Sequence, residues 1–214
     1  MYANSSVYFD AIQPITVAQF QCAINSTVGG PTEQLKYFIG RIWTSNGKPD
    51  KIGIQNIQNF LIATNYFLVP QGYMFPCVSD GCPSASDQVK SAWNSVKASL
   101  NSSSFVLWID VEGENIWPKN KTANQFFVQE LVGKANSLGL RTNIFTSKTF
   151  WDLIVGNFKT LSTSTLLWYA NYDGQPNMND FQPFGGWRSG YMKQYAKNIA
   201  GPCGITMNKN WFQY

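Results

Sequence analysis

Histidine is absent from the sequence. Its absence removes Ser-His-Asp and Cys-His catalysis and most zinc sites, and leaves carboxylates as the natural catalytic groups. Charge is scarce as well: Asp, Glu, Lys and Arg make up 13% of 214 residues, about half the usual share. No run of Lys and Arg of the kind that grips phosphate backbones occurs, so nucleic acid is not an expected partner. No apolar stretch reaches the roughly 18 residues of a membrane span, and no membrane partner is expected. The opening Met-Tyr-Ala-Asn lacks a signal-peptide core, so the chain reads as a mature or recombinant form. A net charge of +4 gives weak steering toward anionic polymers and no specificity.

What is plentiful is aromatic: eight Trp, ten Tyr and fifteen Phe. With 44% hydrophobic content the chain can bury one sizeable core, and a single domain over residues 1–214 is expected. Rings left over from that core are available to stack on flat ligands such as sugars. Four cysteines without the paired short spacings of a zinc site read as two disulfides. Cys77 and Cys82 can close a small loop, and Cys22 with Cys203 would tie the two ends of the chain together. Asn-x-Ser/Thr sequons at Asn4, Asn25, Asn101 and Asn120 fit a secreted glycoprotein. An oxidising compartment follows, either secreted or lysosomal/phagosomal. No cofactor is called for, and a monomer is expected.

Short runs rich in β-branched and aromatic residues recur as candidate strands. They are Val7 to Ile12, Phe38 to Trp43, Gly72 to Cys77, Phe105 to Glu112, Arg141 to Phe145, Leu166 to Tyr172, Tyr191 to Tyr195 and Gly204 to Asn208. Helical periodicity fills the gaps at Thr16 to Ile24, Ile52 to Asn65, Ser84 to Leu100, Ala123 to Ser137 and Lys148 to Val155. Ser84 and Thr122 sit where N-caps belong, with Gln125 completing a capping box, and Gly139 sits where a helix should stop. Alternation implies parallel pairing, and after Leu166 the connections turn to Gly, Pro, Asn and Asp. The fold class is therefore α/β: a modified TIM-like barrel of five βα units followed by three strands lacking crossover helices.

Only twelve acidic residues exist, yet Asp110, Glu112 and Glu114 fall within five positions. The preceding Phe-Val-Leu-Trp-Ile is too apolar for an exposed strand. Alternation sends Trp108, Asp110 and Glu112 into the barrel and Leu107, Ile109 and Val111 toward outer helices. Carboxylates crowded at the C-terminal mouth cannot all ionise freely, so one becomes a general acid near neutral pH. Glycoside hydrolysis requires such a group. Glu112, longer and nearer the rim, is the expected acid; Asp110 would orient substrate or stabilise positive charge. Asp10, ending the first strand, is a third candidate. Against this stand bland alternatives: ion pairing to Arg41 or Lys119, and for Asp10 an N-cap role.

These residues resemble the glycoside hydrolase family 25 lysozymes, especially their branch in nematodes and amoebae. Tyr8-Phe9-Asp10, Phe38-Ile39-Gly40-Arg41, Gly72-Tyr73-Met74-Phe75-Pro76-Cys77, Trp108-Ile109-Asp110-Val111-Glu112, Leu167-Trp168-Tyr169-Ala170-Asn171-Tyr172 and Lys193-Gln194-Tyr195 look like the family's motifs in order. The resemblance implies a flattened barrel and cleavage of the β-1,4 bond between N-acetylmuramic acid and N-acetylglucosamine in bacterial cell-wall polysaccharide. It makes Glu112 the proton donor and Asp110 the partner of the substrate's own acetamido nucleophile. One departure stands out: the family's last-strand Asp-x-Asn reads Asn208-Lys209-Asn210 here. An amide in place of that carboxylate allows a second reading, a catalytically impaired relative that binds glycans. Tyr73, Tyr169, Tyr172 and Tyr195, with Asn208, are the expected substrate-binding residues; Trp108 and Phe75 are assigned to the core.

Overall fold

A computed structural model describes residues 5–26, 33–100, 102, 104–159, 161–162 and 164–212. The elements run β1 (Ser5–Asp10), α1 (Val17–Ile24), β2 (Glu33–Thr44), β3 (Lys48–Pro49), α2 (Lys51–Ala63), β4 (Gln71–Met74), α3 (Ala85–Leu100), β5 (Val106–Asp110), α4 (Lys121–Ser137), β6 (Arg141–Thr146), α5 (Lys148–Val155), β7 (Leu167–Ala170), β8 (Met192–Ala200), a 3-10 turn (Pro202–Gly204) and β9 (Thr206–Phe212). Neighbours follow the order β1-β9-β8-β7-β6-β5-β4-β2, and β1 also pairs with β2, which closes an eight-stranded barrel. β3 is a two-residue antiparallel addition to β2 that sequence periodicity is too coarse to detect. Pairing is parallel from β1 round to β8, while β9 runs antiparallel to both β8 and β1. Five βα units followed by three strands without crossover helices is the architecture that the spacing of the segments indicates.

Boundaries moved for local reasons. β4 ends at Met74, before Pro76, which has no N–H to donate to a ladder. β9 lies later than the expected Gly204 to Asn208 because Pro202–Gly204 forms a 3-10 turn with Cys203 at φ 59°. α4 is capped by Asn120, whose side-chain oxygen accepts from the Ala123 N–H at 3.1 Å; Thr122 is already inside the helix. α1 carries a reciprocal capping box between Thr16 and Gln19. Gly139 stops α4 as expected, with φ 79°. Asn25 and Asn120 are exposed; the sequons at Asn4 and Asn101 lie outside the described residues.

Strand alternation separates two packed layers. Tyr8, Ile39, Trp108, Phe145, Trp168 and Met192 fill the lumen. Phe9, Leu107, Ile109 and Val111 face outward into the layer under the helices. There Phe9, Phe20, Phe38 and Phe60 form a ring cluster with centroids 5.0 to 6.2 Å apart; truncating one to Ala would cost about 3–5 kcal/mol. Gly53 of α2 lies against the Arg41 backbone of β2, where a Cβ has no space. Two disulfides form: Cys22–Cys203 joins α1 to the turn before β9, and Cys77–Cys82 closes the loop after β4. Among the described residues no helix is long and apolar enough to cross a membrane.

Candidate active site

The last residues of β1 and β5 carry Asp10 and Asp110 to the same end of the barrel. Beyond β5, Val111 N–H still donates to the Phe145 carbonyl (2.9 Å), and the Thr146 hydroxyl donates to the Val111 carbonyl (2.7 Å). Gly113 then turns the chain at φ 73°, and the Trp117 indole N–H donates to the Glu112 carbonyl (3.0 Å). Glu112 is thus held outside the strand yet lines the same cleft as both aspartates. The cleft encloses about 390 Å³, with Phe145 and Trp168 among its walls and Tyr73, Tyr172 and Asn208 lining it too. Glu114 is exposed and outside it.

Asp10 receives three amide donors. Asn208 Nδ2 donates to its Oδ2 at 2.6 Å, and Asn210 Nδ2 and Gln194 Nε2 donate to its Oδ1 at 2.8 and 2.9 Å. Each amide oxygen is fixed in turn by a donor: Trp168 Nε1 to Asn210 (2.8 Å), the Tyr172 hydroxyl to Gln194 (2.9 Å) and Asn198 N–H to Asn208 (2.9 Å). Asp110 is the opposite case, since its buried Oδ1 has no hydrogen-bond partner among the described residues.

Burial dominates the electrostatics. It pushes Asp10 up to about 6 despite the opposing hydrogen bonds from Asn210, Asn208 and Gln194. Burial, then the charges of Glu112 and Asp10, hold Asp110 well above the usual carboxylate range. Burial also raises Glu112, with the Lys197 ammonium pulling it back down. All three acids are therefore raised, and their protonation is linked through mutual repulsion. Neither Arg41 nor Lys119 forms a salt bridge to them: Arg41 pairs with Asp50 at 2.7 Å, and Lys119 pairs with no acid among the described residues. Thr16, not Asp10, caps α1. Among the described residues no three potential metal ligands come together.

Of the tyrosines expected here, Tyr73 and Tyr172 line the cleft, whereas Tyr169 and Tyr195 do not. Strand parity is the reason. Trp168 and Ala170 of β7 point inward, so Tyr169 points outward onto Phe181 (5.2 Å between centroids) and bonds Asp180. Gln194 of β8 reaches Asp10, so its neighbour Tyr195 is buried on the other face. Sequence reasoning missed Gln194, Asn210 and Lys197 as site residues; the same parity, applied from Asn208 and Met192, points to the first two, and nothing marks Lys197.

A family model described as Lysozyme-like protein 1 matches residues 2–195. Lysozyme-like protein 5 of Caenorhabditis elegans is 32% identical over 202 residues, covering 94% of this chain and 89% of the relative. Probable GH family 25 lysozyme 4 of Dictyostelium discoideum is 30% identical over 203 residues, covering 95% and 88%. The barrel is similar to a muramidase from Trichobolus zukalii, with TM-score 0.71 and 19% identity over 98% of this chain and 94% of that one. It is also similar to a family GH25 lysozyme from Aspergillus fumigatus, with TM-score 0.71 and 15% identity over 97% and 93%. The structural likenesses establish the fold and the sequence matches the lineage: the chain belongs to the glycoside hydrolase family 25 lysozymes, in their lysozyme-like branch.

Proposed function

We propose that this chain is a muramidase, cleaving the β-1,4 bond between N-acetylmuramic acid and N-acetylglucosamine in bacterial peptidoglycan. The observation that carries the reading is the convergence of Asp10, Asp110 and Glu112 on one cleft at the C-terminal end of the barrel strands. Glu112, raised by burial, holds the proton that the leaving oxygen needs. With that proton on Glu112, one of the causes that hold Asp110 up is removed, while burial and the charge of Asp10 remain. The donor-free Oδ1 of Asp110 accepts the N–H of the substrate's acetamido group. That contact sharpens the acetamido oxygen as internal nucleophile, a recognised variant of glycosidase chemistry. Asp10 adds negative charge opposite the developing oxocarbenium ion, and Tyr73 and Tyr172 flank the sugar.

The domain acts as a monomer, secreted or in a lysosomal/phagosomal compartment, as an antimicrobial or digestive glycoprotein. The two disulfides support that location. Clearing of a bacterial cell-wall suspension between about pH 4 and 8, with reducing-end analysis of the products, tests the activity. Glu112→Gln should lower the rate by about a thousandfold, within the usual range for losing a general acid. Absence of clearing and of new reducing ends with the native protein at every pH would falsify the reading.

A further inference from the structure

β8 runs on past the barrel wall into a hairpin with β9, and this extension brings Lys197 over the cleft. Lys197 is the one cation lining that cleft among the described residues. Its Nζ sits 4.4 Å from the centroid of the Tyr172 ring, and it makes no salt bridge among the described residues. Nearby cations are committed elsewhere: Arg41 to Asp50, and Lys193 to Asp173 and Asp180. An exposed ammonium resting on an aromatic face is anchored in position yet keeps donors free.

The substrate side supplies the complement. Every second sugar of peptidoglycan bears a lactyl branch carrying a carboxylate, either its own or that of an attached peptide. Such an anion must enter a cleft already lined by three acidic side chains, where every negative charge on them opposes it. We infer that Lys197 is the specificity residue of this cleft: held over Tyr172, it takes the carboxylate of the lactyl branch and selects the anionic glycan over a neutral one. The inference rests on the muramidase reading for its substrate class.

Binding measured by calorimetry in Glu112→Gln, alone and combined with Lys197→Gln or Lys197→Arg, tests it without turnover. The probes are a peptide-free muramyl tetrasaccharide, its methyl ester, a peptide-bearing tetrasaccharide and chitotetraose. Loss of one charge-assisted contact should weaken the acid form about tenfold in Lys197→Gln, with most of it restored in Lys197→Arg. Chitotetraose should change less than about twofold. Loss confined to the peptide-bearing ligand places the carboxylate on the peptide; loss with the peptide-free acid but not its ester places it on the sugar. Equal loss across all four probes, or none, or no binding of any probe, overturns the inference. Failure of the muramidase reading looks different: the native protein cleaves nothing while charge-selective binding persists.

Discussion

Strands β1 and β5, each followed by a helix, bring acids to the cleft; β8 and β9, which have no helix, bring amides and a cation. The same division appears on the outer face. Behind the helix-covered strands, outward positions such as Phe9 and Ile109 are apolar and pack under helices. Behind β8, the outward Lys193 is fully buried and closed off by Asp173 and Asp180 from the β7–β8 connection. Where a helix is missing, a polar clamp holds a loop over the barrel. Residue 172 in that loop is the Tyr that lines the cleft and fixes Gln194.

The two regions also respond to pH in opposite senses. Asp10, pushed up to about 6 from the usual 3.8, binds a proton in the folded state that the unfolded chain has released. Stability therefore falls as pH rises through that window, by about 3 kcal/mol for this buried group at 1.36 kcal/mol per unit. Asp180 is lowered: burial raises it, but hydrogen bonds from Lys193, Asn171 and Tyr169 win. Its contribution is present above the ordinary carboxylate range and is lost as pH falls through its depressed value. The fold should be firmest in mildly acidic solution, between these two limits.

The largest break in this comparison comes from Asp110→Asn. Activity should drop by about a hundredfold or more, as for other losses of a charge-stabilising group. Stability at neutral pH should instead rise, because an acid raised by burial costs stability once ionised, and its Oδ1 gives up no hydrogen bond. Thermal melts across pH should show the gain vanishing below about pH 4, where the aspartate is neutral in both states. A melting temperature that falls at neutral pH would overturn the electrostatic account of the cleft.

A smaller effect is expected on the helix-free side. Asp180→Ala leaves a fully buried Lys193 with one partner. Breaking a buried pair costs about 3–5 kcal/mol, and the quarter-exposed carboxylate reduces this to about 2 kcal/mol. Urea unfolding should register it. Activity should fall with it, through a higher KM, if the clamp positions Tyr172.

The helix-covered half was the more legible from sequence. Its periodicities alternate between 2 and 3.6, its strands are apolar, and Asp110 and Glu112 stand out in a chain with few charges. The helix-free half follows weaker rules. There the Pro202–Gly204 turn displaces β9, and aromatic character is no guide to accessibility at Tyr169 and Tyr195, whose parity faces them outward. The amide cradle of Asp10 is spread over β8 and β9, some 184 to 200 residues from it in sequence. Only closure of the barrel brings those residues together.

Asn208 joins the two regions, and restoring a carboxylate there sharpens the comparison by the smallest effect. In the native chain its Nδ2 donates to Asp10 Oδ2 at 2.6 Å while its Oδ1 accepts from Asn198 N–H. An aspartate at 208 could keep the second contact but could make the first only when one of the two acids is protonated. The amide thus supplies permanently the hydrogen that a pair of carboxylates would have to share. Asn208→Asp should therefore leave activity within about tenfold of the native value at mildly acidic pH, where the pair retains its proton. As pH rises through about 6, two facing carboxylates should repel and the rate should fall more steeply than in the native enzyme. Profiles of kcat/KM against pH decide the point. A variant that gains activity by orders of magnitude at every pH would mean instead that the missing charge, not the missing proton, is what this site lacks.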